Sequence, residues 1–283
     1  MEFPEPYIYS PQRPPHTHTA ILLHGRGSNG PEFAEELFSG KTSTDQPLSS
    51  CLPTWRWVFP TARERWSRQF QEELCAWFDD GPRHAGDEEE ERIDGLDQSV
   101  AYVMDILKRE IDLLGGDGGR VFLGGISQGM ATVLWSIFLA ASREGICEQR
   151  LGGVLGFCGW LPLGREVEEL LRGNNASSNT PKEKQRLVCD FALKTITGAE
   201  IGPGDGEIDR AILSTPVFLS HGTDDAWVSV ELGRQACQIL QKAAISVEWN
   251  EFSGAEGDGH WIKEPDGLDQ ILRFLRVPTV RTR

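Results

Sequence analysis

The 283-residue sequence has no run of about 18 apolar residues, the length that a helix needs to cross a bilayer. Its first residues, Met-Glu-Phe-Pro-Glu-Pro, lack both the basic and the apolar region of a secretory signal. It also lacks a cluster of Lys and Arg, and its 28 basic and 43 acidic side chains give a formal charge of −15. Such a surface repels phosphate backbones. We therefore expect no nucleic-acid binding and no stable membrane insertion.

The six cysteines show no pattern of disulfides or metal ligands. They lack C-x-x-C spacing and histidine partners. In a chain of this length without a signal, scattered cysteines are typical of free thiols in a reducing compartment. We therefore predict a cytoplasmic protein with unpaired cysteines, at positions 51, 75, 147, 158, 189 and 237.

The composition is that of a folded protein, because 39% of the residues are hydrophobic and 25% are charged. Short apolar runs alternate with segments of helical periodicity, which predicts a mostly parallel sheet with helices on both faces. The predicted strands are 19–23, 55–59, 120–123, 153–157, 216–220 and 246–249, and the clearest predicted helices are about 96–114, 129–142, 229–243 and 267–275.

Two segments interrupt this alternation. Residues 81–94 contain an acidic run, which is typical of a solvated loop before a helix. Residues 172–210 are rich in Asn, Ser, Lys and Gly, and we expect an insertion or a mobile excursion there. The sequence therefore predicts one domain over residues 1–283, with a core over about 18–277.

The sequence G-I-S-Q-G at 125–129 has the pattern of a nucleophile elbow. It stands directly between a predicted strand and a predicted helix, where such a turn holds a serine in a strained conformation at the helix N-terminus. The turn has space only for small neighbours, which Gly125 and Gly129 provide. We therefore predict Ser127 as a nucleophile, the alternative being an ordinary Gly-Ser turn.

An elbow serine needs an acid and then a histidine further along the chain. Of the two histidines downstream, His221 closes a predicted strand, where a buried or turn role is the better prediction. His260 follows the last predicted strand in a Gly-rich loop, where the base is expected. Asp224 and Asp225 both follow the strand 216–220, and the local sequence does not decide between them.

The same chemistry needs two backbone N–H donors for an oxyanion. One is expected from the residue after the nucleophile, Gln128. The other should follow an early strand, and L-L-H-G at 22–25 runs into such a turn. We predict the backbone N–H of Arg26 as the second donor, the alternative being a simple tight turn.

Together these blocks resemble the acyl-protein thioesterase, lysophospholipase and carboxylesterase family of small α/β-hydrolases. The resemblance extends over about residues 20–275, in the family's order. The blocks are L-L-H-G at 22–25, F-P-T-A at 59–62, W-F-D at 77–79, L-G-G-I-S-Q-G at 123–129, G-W-L-P-L at 159–163, S-H-G-T-D-D-A-W-V at 220–228 and the loop that holds His260.

The resemblance implies an α/β-hydrolase fold with no metal and no organic cofactor. It also selects the acid, because the family's aspartate is the third residue after the glycine of H-G-x-x-D. The implied catalytic residues are Ser127, Asp225 and His260, with the backbone N–H groups of Arg26 and Gln128 as oxyanion donors.

The chain departs from the family pattern beside these residues. It has Ile126 where Phe is usual, Met130 where a second Gly is usual, and Arg26 where an apolar residue is usual. These departures leave the implied reaction class intact and concern the acyl preference.

In the relatives, the region equivalent to residues 62–78 borders an acyl-binding groove, so its apolar side chains are candidate substrate-binding residues. The alternative is an amphipathic helix that buries them in the core. The candidates are Trp66, Phe70, Leu74, Trp77 and Phe78, together with Trp160, Leu161 and Trp227 from later blocks.

The sequence as a whole predicts a serine hydrolase that cleaves acyl esters or thioesters through an acyl-enzyme. By resemblance the expected substrates are S-acylated protein cysteines or lysophospholipids, and a carboxylesterase for small esters is the alternative. A non-catalytic α/β-hydrolase that binds a ligand or partner is a third hypothesis, although such proteins usually lack a triad residue. The oligomeric state stays open.

Overall fold

The computed structural model describes residues 2–68, 70–79, 93–142, 149–173, 180–198 and 211–276. Strands and helices alternate along most of this chain, as the sequence predicts. The strands are β1 Tyr7–Tyr9, β2 His18–Leu23, β3 Trp55–Phe59, β4 Arg63–Ser67, β5 Glu72–Ala76, β6 Val121–Ile126, β7 Gly153–Phe157, β8 Val217–Gly222 and β9 Val247–Phe252. The helices are α1 Gly30–Ser39, α2 Leu48–Cys51, α3 Leu96–Leu113, α4 Gln128–Ser142, α5 Gly164–Arg172, α6 Pro181–Thr197, α7 Val230–Lys242 and α8 Asp266–Leu275.

Seven strands form one sheet, in the spatial order β1-β3-β2-β6-β7-β8-β9. The edge strand β1 is antiparallel to β3, and all the other neighbours are parallel. In a mostly parallel sheet the carboxyl ends of the strands meet at one edge, and ligands bind there. The loops after β2, β6 and β8 therefore converge on one site.

The core lies on both faces of this sheet. Successive side chains of a strand point to opposite faces, so Ile21 and Leu23 of β2 pack in the layer of α3 to α7. Ala20 and Leu22 pack on the other face, in the layer that includes α1, α2 and α8. This two-sided burial explains why the predicted strands are continuous apolar runs.

The segment predicted as an insertion or a mobile excursion contains a regular helix at Pro181–Thr197, which the sequence analysis did not predict. Helix α6 begins with a capping box in which Thr180 and Glu183 each accept the other's backbone N–H. Its buried face packs on α4, where the rings of Phe191 and Trp135 lie 6.2 Å apart. Because α6, α3 and the sheet together surround α4, every residue of that helix is buried.

The strands β4 and β5 form a β-hairpin, so the alternative of an amphipathic helix is wrong. β4 and β5 pair in antiparallel register from Arg63↔Ala76 to Ser67↔Glu72. Arg65 Nη1 lies 2.9 Å from Asp79 Oδ1, which ties the hairpin to the chain that follows it. The acidic run predicted as a loop at 81–94 falls almost wholly outside the described residues.

Within the described ranges, no helix combines the length and the apolarity that a membrane crossing requires. The cysteines in these ranges are all free thiols, at positions 51, 75, 158, 189 and 237. Cys147 lies outside the described residues.

Candidate active site

Ser127 stands at a sharp turn between β6 and α4. Its φ is +55°, which is strained for a residue other than glycine, and its N–H donates to Phe157 O at 2.8 Å. A Cβ on Gly129 would lie 2.4 Å from Leu23 O, and one on Gly125 would lie 2.6 Å from the Gly129 carbonyl carbon. The glycines on both sides of the serine are therefore sterically required, as expected for a nucleophile elbow.

The loop after β2 approaches this serine closely. A Cβ on Gly25 would lie 3.4 Å from Ser127 Cβ, and the N–H of Gly27 donates to Cys75 O of the hairpin at 2.8 Å. Arg26 and Gln128 line the same cavity as Ser127. The structure thus brings the two residues predicted to carry the oxyanion donors to the serine.

His24 holds this loop in place, a role that the sequence analysis did not assign. Its Nε2 accepts the N–H of Ala62 at 3.0 Å, so its Nδ1 carries the proton and donates to Gly25 O at 2.6 Å. Burial lowers the pKa of His24 to about 4. The imidazole is therefore a neutral brace between the loop and the chain before the hairpin.

The side chain of Gln128 joins the hairpin to the elbow. Its Oε1 accepts the N–H of Trp77 at 2.8 Å, and its Nε2 donates to Phe78 O at 2.8 Å. The indole N–H of Trp77 donates to His24 O at 2.8 Å. Hydrogen bonds of the W-F-D block thus form a buried joint, which connects the hairpin to the loop after β2 and to the first turn of α4.

The acid and the base lie together on the loops after β8 and β9. His260 Nδ1 donates to Asp225 Oδ2 at 2.7 Å. Asp224 points elsewhere, because its Oδ2 accepts the N–H of Gly254 at 2.7 Å. Gly259 has a φ of +79°, and a Cβ there would lie 2.7 Å from Asp224 O. Glycine at 259 therefore lets the histidine loop close over the aspartates.

Asp225 is fully buried as a side chain, yet it is held as an anion. Burial raises its pKa, but hydrogen bonds from His221 and His260, the charge of His260 and the N–H of Val228 together lower the pKa well below its usual range. Oδ1 accepts the N–H groups of Trp227 and Val228, both at 2.8 Å. A carboxylate fixed in this way keeps the imidazole of His260 oriented and stabilises its charged form.

A cavity of about 680 Å³ opens over Ser127 and His260. Four of the predicted substrate-binding residues line it: Phe70, Leu74, Trp160 and Trp227. The rings of Phe70 and Trp227 lie 6.4 Å apart at its mouth, with 41% and 52% of the residues exposed. The cavity is therefore apolar in its walls and has an aromatic rim.

The other four predicted substrate-binding residues do not line this cavity, so the prediction is corrected for them. Trp77, Phe78 and Leu161 are buried in the core, where the peptide groups of the first two are bound by Gln128. Trp66 is 54% exposed on β4. Residues that the sequence analysis missed also line the cavity, namely Ser28, Phe33, Glu36, Glu72 and Trp261.

The cavity carries charge of both signs. Glu36, Glu72 and Arg26 line it. Burial, together with the neighbouring carboxylates of Glu256 and Glu32, raises the pKa of Glu36. The lining therefore combines apolar and aromatic side chains with these three charged ones.

Cys158, Asp225 and His260 are the described residues whose donor atoms come closest to a metal-ligand group, all within 4.8 Å of one another. Burial raises the pKa of the Cys158 thiol to about 12, which disfavours the thiolate that a metal requires. Asp225 already accepts hydrogen bonds on both oxygens. The chemistry of this group is that of a hydrogen-bonded acid and base.

Residues 4–199 match the model of the family described as Phospholipase/Carboxylesterase. The chain belongs to this family. That membership makes it an ester hydrolase, as the sequence predicts. Acyl-protein thioesterase 1 of Gibberella zeae is 26% identical over 92% of this chain and 90% of its own. Carboxylesterase SOBER1 of Arabidopsis thaliana is also 26% identical, over 87% and 84%.

Solved structures confirm the α/β-hydrolase fold. The crystal structure of Zea mays acyl-protein thioesterase 2 matches 96% of this chain and 97% of its own with a TM-score of 0.62, at 23% identity. The crystal structure of Arabidopsis thaliana SOBER1 gives the same TM-score over 91% and 97%, at 24% identity. At these identities the likeness concerns the fold alone.

Proposed function

We propose that this protein is a serine hydrolase that cleaves acyl esters or thioesters with Ser127, His260 and Asp225. One observation carries the proposal. A single cavity is lined by an elbow serine, a histidine and both predicted oxyanion-donor residues, and a buried aspartate binds the histidine from behind. This constellation is recognised by geometry and roles, whatever the fold.

The reaction has two halves. Ser127 Oγ attacks the acyl carbonyl while His260 Nε2 takes the serine proton, because Nδ1 is engaged by Asp225. The backbone N–H groups of Arg26 and Gln128 stabilise the oxyanion. His260 then gives the proton to the departing alkoxide or thiolate and leaves an acyl-serine. A water that loses its proton to His260 attacks this ester, and His260 returns the proton to Ser127 Oγ as the acid is released.

The proposed substrates are protein cysteines that carry acyl groups, or lysophospholipids. We propose that the enzyme acts on them in the cytoplasm. The names of the relatives support the protein substrates, and the apolar walls and aromatic rim of the cavity suit an alkyl chain. Hydrolysis of small esters is the second candidate, which the similarity to a carboxylesterase supports. The free thiols fit a reducing compartment.

Labelling with a fluorophosphonate probe tests the mechanism. The wild type should be labelled and Ser127→Ala should not. Ser28 lines the same cavity and provides a matched control, because Ser28→Ala should still be labelled. Labelling that persists in Ser127→Ala would refute the assignment of the nucleophile.

Turnover of three substrates side by side tests the substrate class. A palmitoylated peptide, a lysophospholipid and a nitrophenyl ester series from C2 to C16 should be compared by kcat/KM. We expect the long-chain thioester or lysophospholipid to exceed the C2 ester. A maximum at C2 would favour the small-ester carboxylesterase instead.

A further inference from the structure

His221 is a buried histidine beside the acid that the mechanism above does not use. It is the penultimate residue of β8 and has no exposed surface. Its Nε2 lies 2.9 Å from Val228 O and 3.2 Å from Asp225 Oδ2. Asp225 thus has a second imidazole on the same oxygen that binds His260.

The two oxygens beside Nε2, Val228 O and Asp225 Oδ2, fix the tautomer of His221. A backbone carbonyl and a carboxylate are acceptors, so Nε2 must carry a proton, which the two oxygens share. Nδ1 is buried and has no hydrogen-bond partner among the described residues. A proton on Nδ1 would be buried without an acceptor, which costs free energy. The geometry therefore selects the Nε2–H tautomer.

The packing around Nδ1 keeps the ring in this orientation. A Cβ on Gly233 of α7 would lie 2.4 Å from Nδ1, so only glycine leaves space for the imidazole there. The ring of Trp249, on the neighbouring strand β9, lies 6.3 Å from the His221 ring. The imidazole is thus confined by α7 and β9 with its N–H directed at the acid.

We propose, on the basis of the function proposed above, that His221 is a positioning residue for Asp225. The backbone N–H groups of Trp227 and Val228 bind only Oδ1. His221 binds Oδ2, the oxygen that also accepts the N–H of His260, so that both carboxylate oxygens are held and the plane of the carboxylate is fixed for His260. As a neutral donor it leaves the negative charge that the imidazolium of His260 needs during the reaction.

A purely structural role is the competing explanation, because the bond to Val228 O also ties β8 to its loop. The two roles differ in what they change. A structural tie affects the free energy of unfolding, whereas a positioning residue affects kcat and the His260–Asp225 hydrogen bond. A change at His221 should therefore be compared with a change of equal structural cost elsewhere in β8.

The variants His221→Leu and His221→Gln separate these roles. Leu removes the donor, and we expect kcat to fall about 10- to 100-fold, the factor typical of a hydrogen bond to a charged group, with KM within about twofold. Gln carries an amide N–H near the place of Nε2, and should stay within about threefold of the wild type. Val217→Ala, a cavity-forming change in the same strand, should lower stability and leave kcat unchanged.

Two spectroscopic measurements complete the test. Nitrogen-15 NMR of the wild type should show His221 protonated on Nε2. The downfield proton resonance of the His260–Asp225 bond should persist in His221→Gln and shift or vanish in His221→Leu.

A wild-type His221 protonated on Nδ1, or an unchanged kcat in a folded His221→Leu, would overturn the inference. The tautomer measurement decides even where His221→Leu does not fold. An inactive wild type would instead reject the proposed function, so the two failures are distinguishable.

Discussion

The two sides of the cavity are built on different principles. On the side of the acid, Asp225 and His221 are buried, and each is fixed by hydrogen bonds to backbone or to the other. On the side of the hairpin, only the last residue of each strand, Ser67 of β4 and Ala76 of β5, is buried, and Phe70 is exposed at the turn. The difference predicts that substitutions on the side of the acid disturb the core, whereas substitutions at the exposed rim change the acyl preference at little cost in stability.

The largest effect is expected from the nucleophile and the base. Ser127→Ala should lower kcat by about 10⁶, and His260→Ala by a similar factor, because the two residues act as a unit. The double variant should then be no slower than either single variant. Single-turnover assays measure this. If the rate loss of the double variant equalled the product of the two single losses, the residues would act independently.

The adjacent aspartates offer the next comparison. Asp225→Asn should lower kcat by about 10⁴ and leave the fold intact, because the amide can no longer hold the tautomer of His260. Asp224→Asn keeps an acceptor for the N–H of Gly254, so kcat should change by less than about tenfold. Steady-state kinetics of both variants test this prediction. A larger loss of kcat in Asp224→Asn than in Asp225→Asn would reverse the assignment of the acid.

His24 makes stability depend on pH on the core side of the cavity. Its pKa is about 4 in the fold and about 6.5 in the unfolded chain, so below pH 6.5 the unfolded state binds the extra proton. Stability should therefore be complete above pH 6.5 and decline as the pH falls towards 4, by about 3 kcal/mol in total from this residue.

The variant His24→Asn isolates this contribution. Burial also lowers the pKa values of His16 and His18, but these act equally in both proteins. Urea unfolding between pH 4.5 and 7.5 should give a flatter dependence of the free energy of unfolding on pH for His24→Asn. Parallel curves would mean that His24 is not a buried neutral base.

The smallest effect is expected at the rim. Phe70→Ala should lower kcat/KM for long acyl chains by about two- to tenfold, the worth of an aromatic contact, and change turnover of an acetyl ester less. Trp66→Ala is a control, because Trp66 is also an exposed aromatic residue of the hairpin but does not line the cavity. Equal effects of the two variants on kcat/KM across a C2 to C16 ester series would show that Phe70 is not part of the acyl-binding site.

The sequence was sufficient where local pattern and tertiary structure agree. The six predicted strands are all present, because parallel strands buried on both faces must be continuously apolar. The elbow was recognisable because its constraint, a strained serine between small residues, is local.

The errors arose where distant contacts decide. Apolar residues at 66, 70 and 74 have helical spacing, but Gln128 binds the backbone at 77–78 and the segment forms a hairpin. Asp224 and Asp225 are indistinguishable locally, and their partners Gly254 and His260 lie about thirty residues away. Helix α6 is an exception, because its capping box of Thr180 and Glu183 is a local signal that the sequence analysis did not use.

The buried joint at Trp77 also has a consequence for protein engineering. Gln128 and His24 bind the chain at the base of the hairpin, at Ala62 before it and at Trp77 and Phe78 after it, through peptide groups and one indole N–H. The turn between β4 and β5 can therefore be replaced without changing the contacts at the base of the hairpin. Grafting other turns onto this base would vary the acyl entrance while the elbow keeps its geometry.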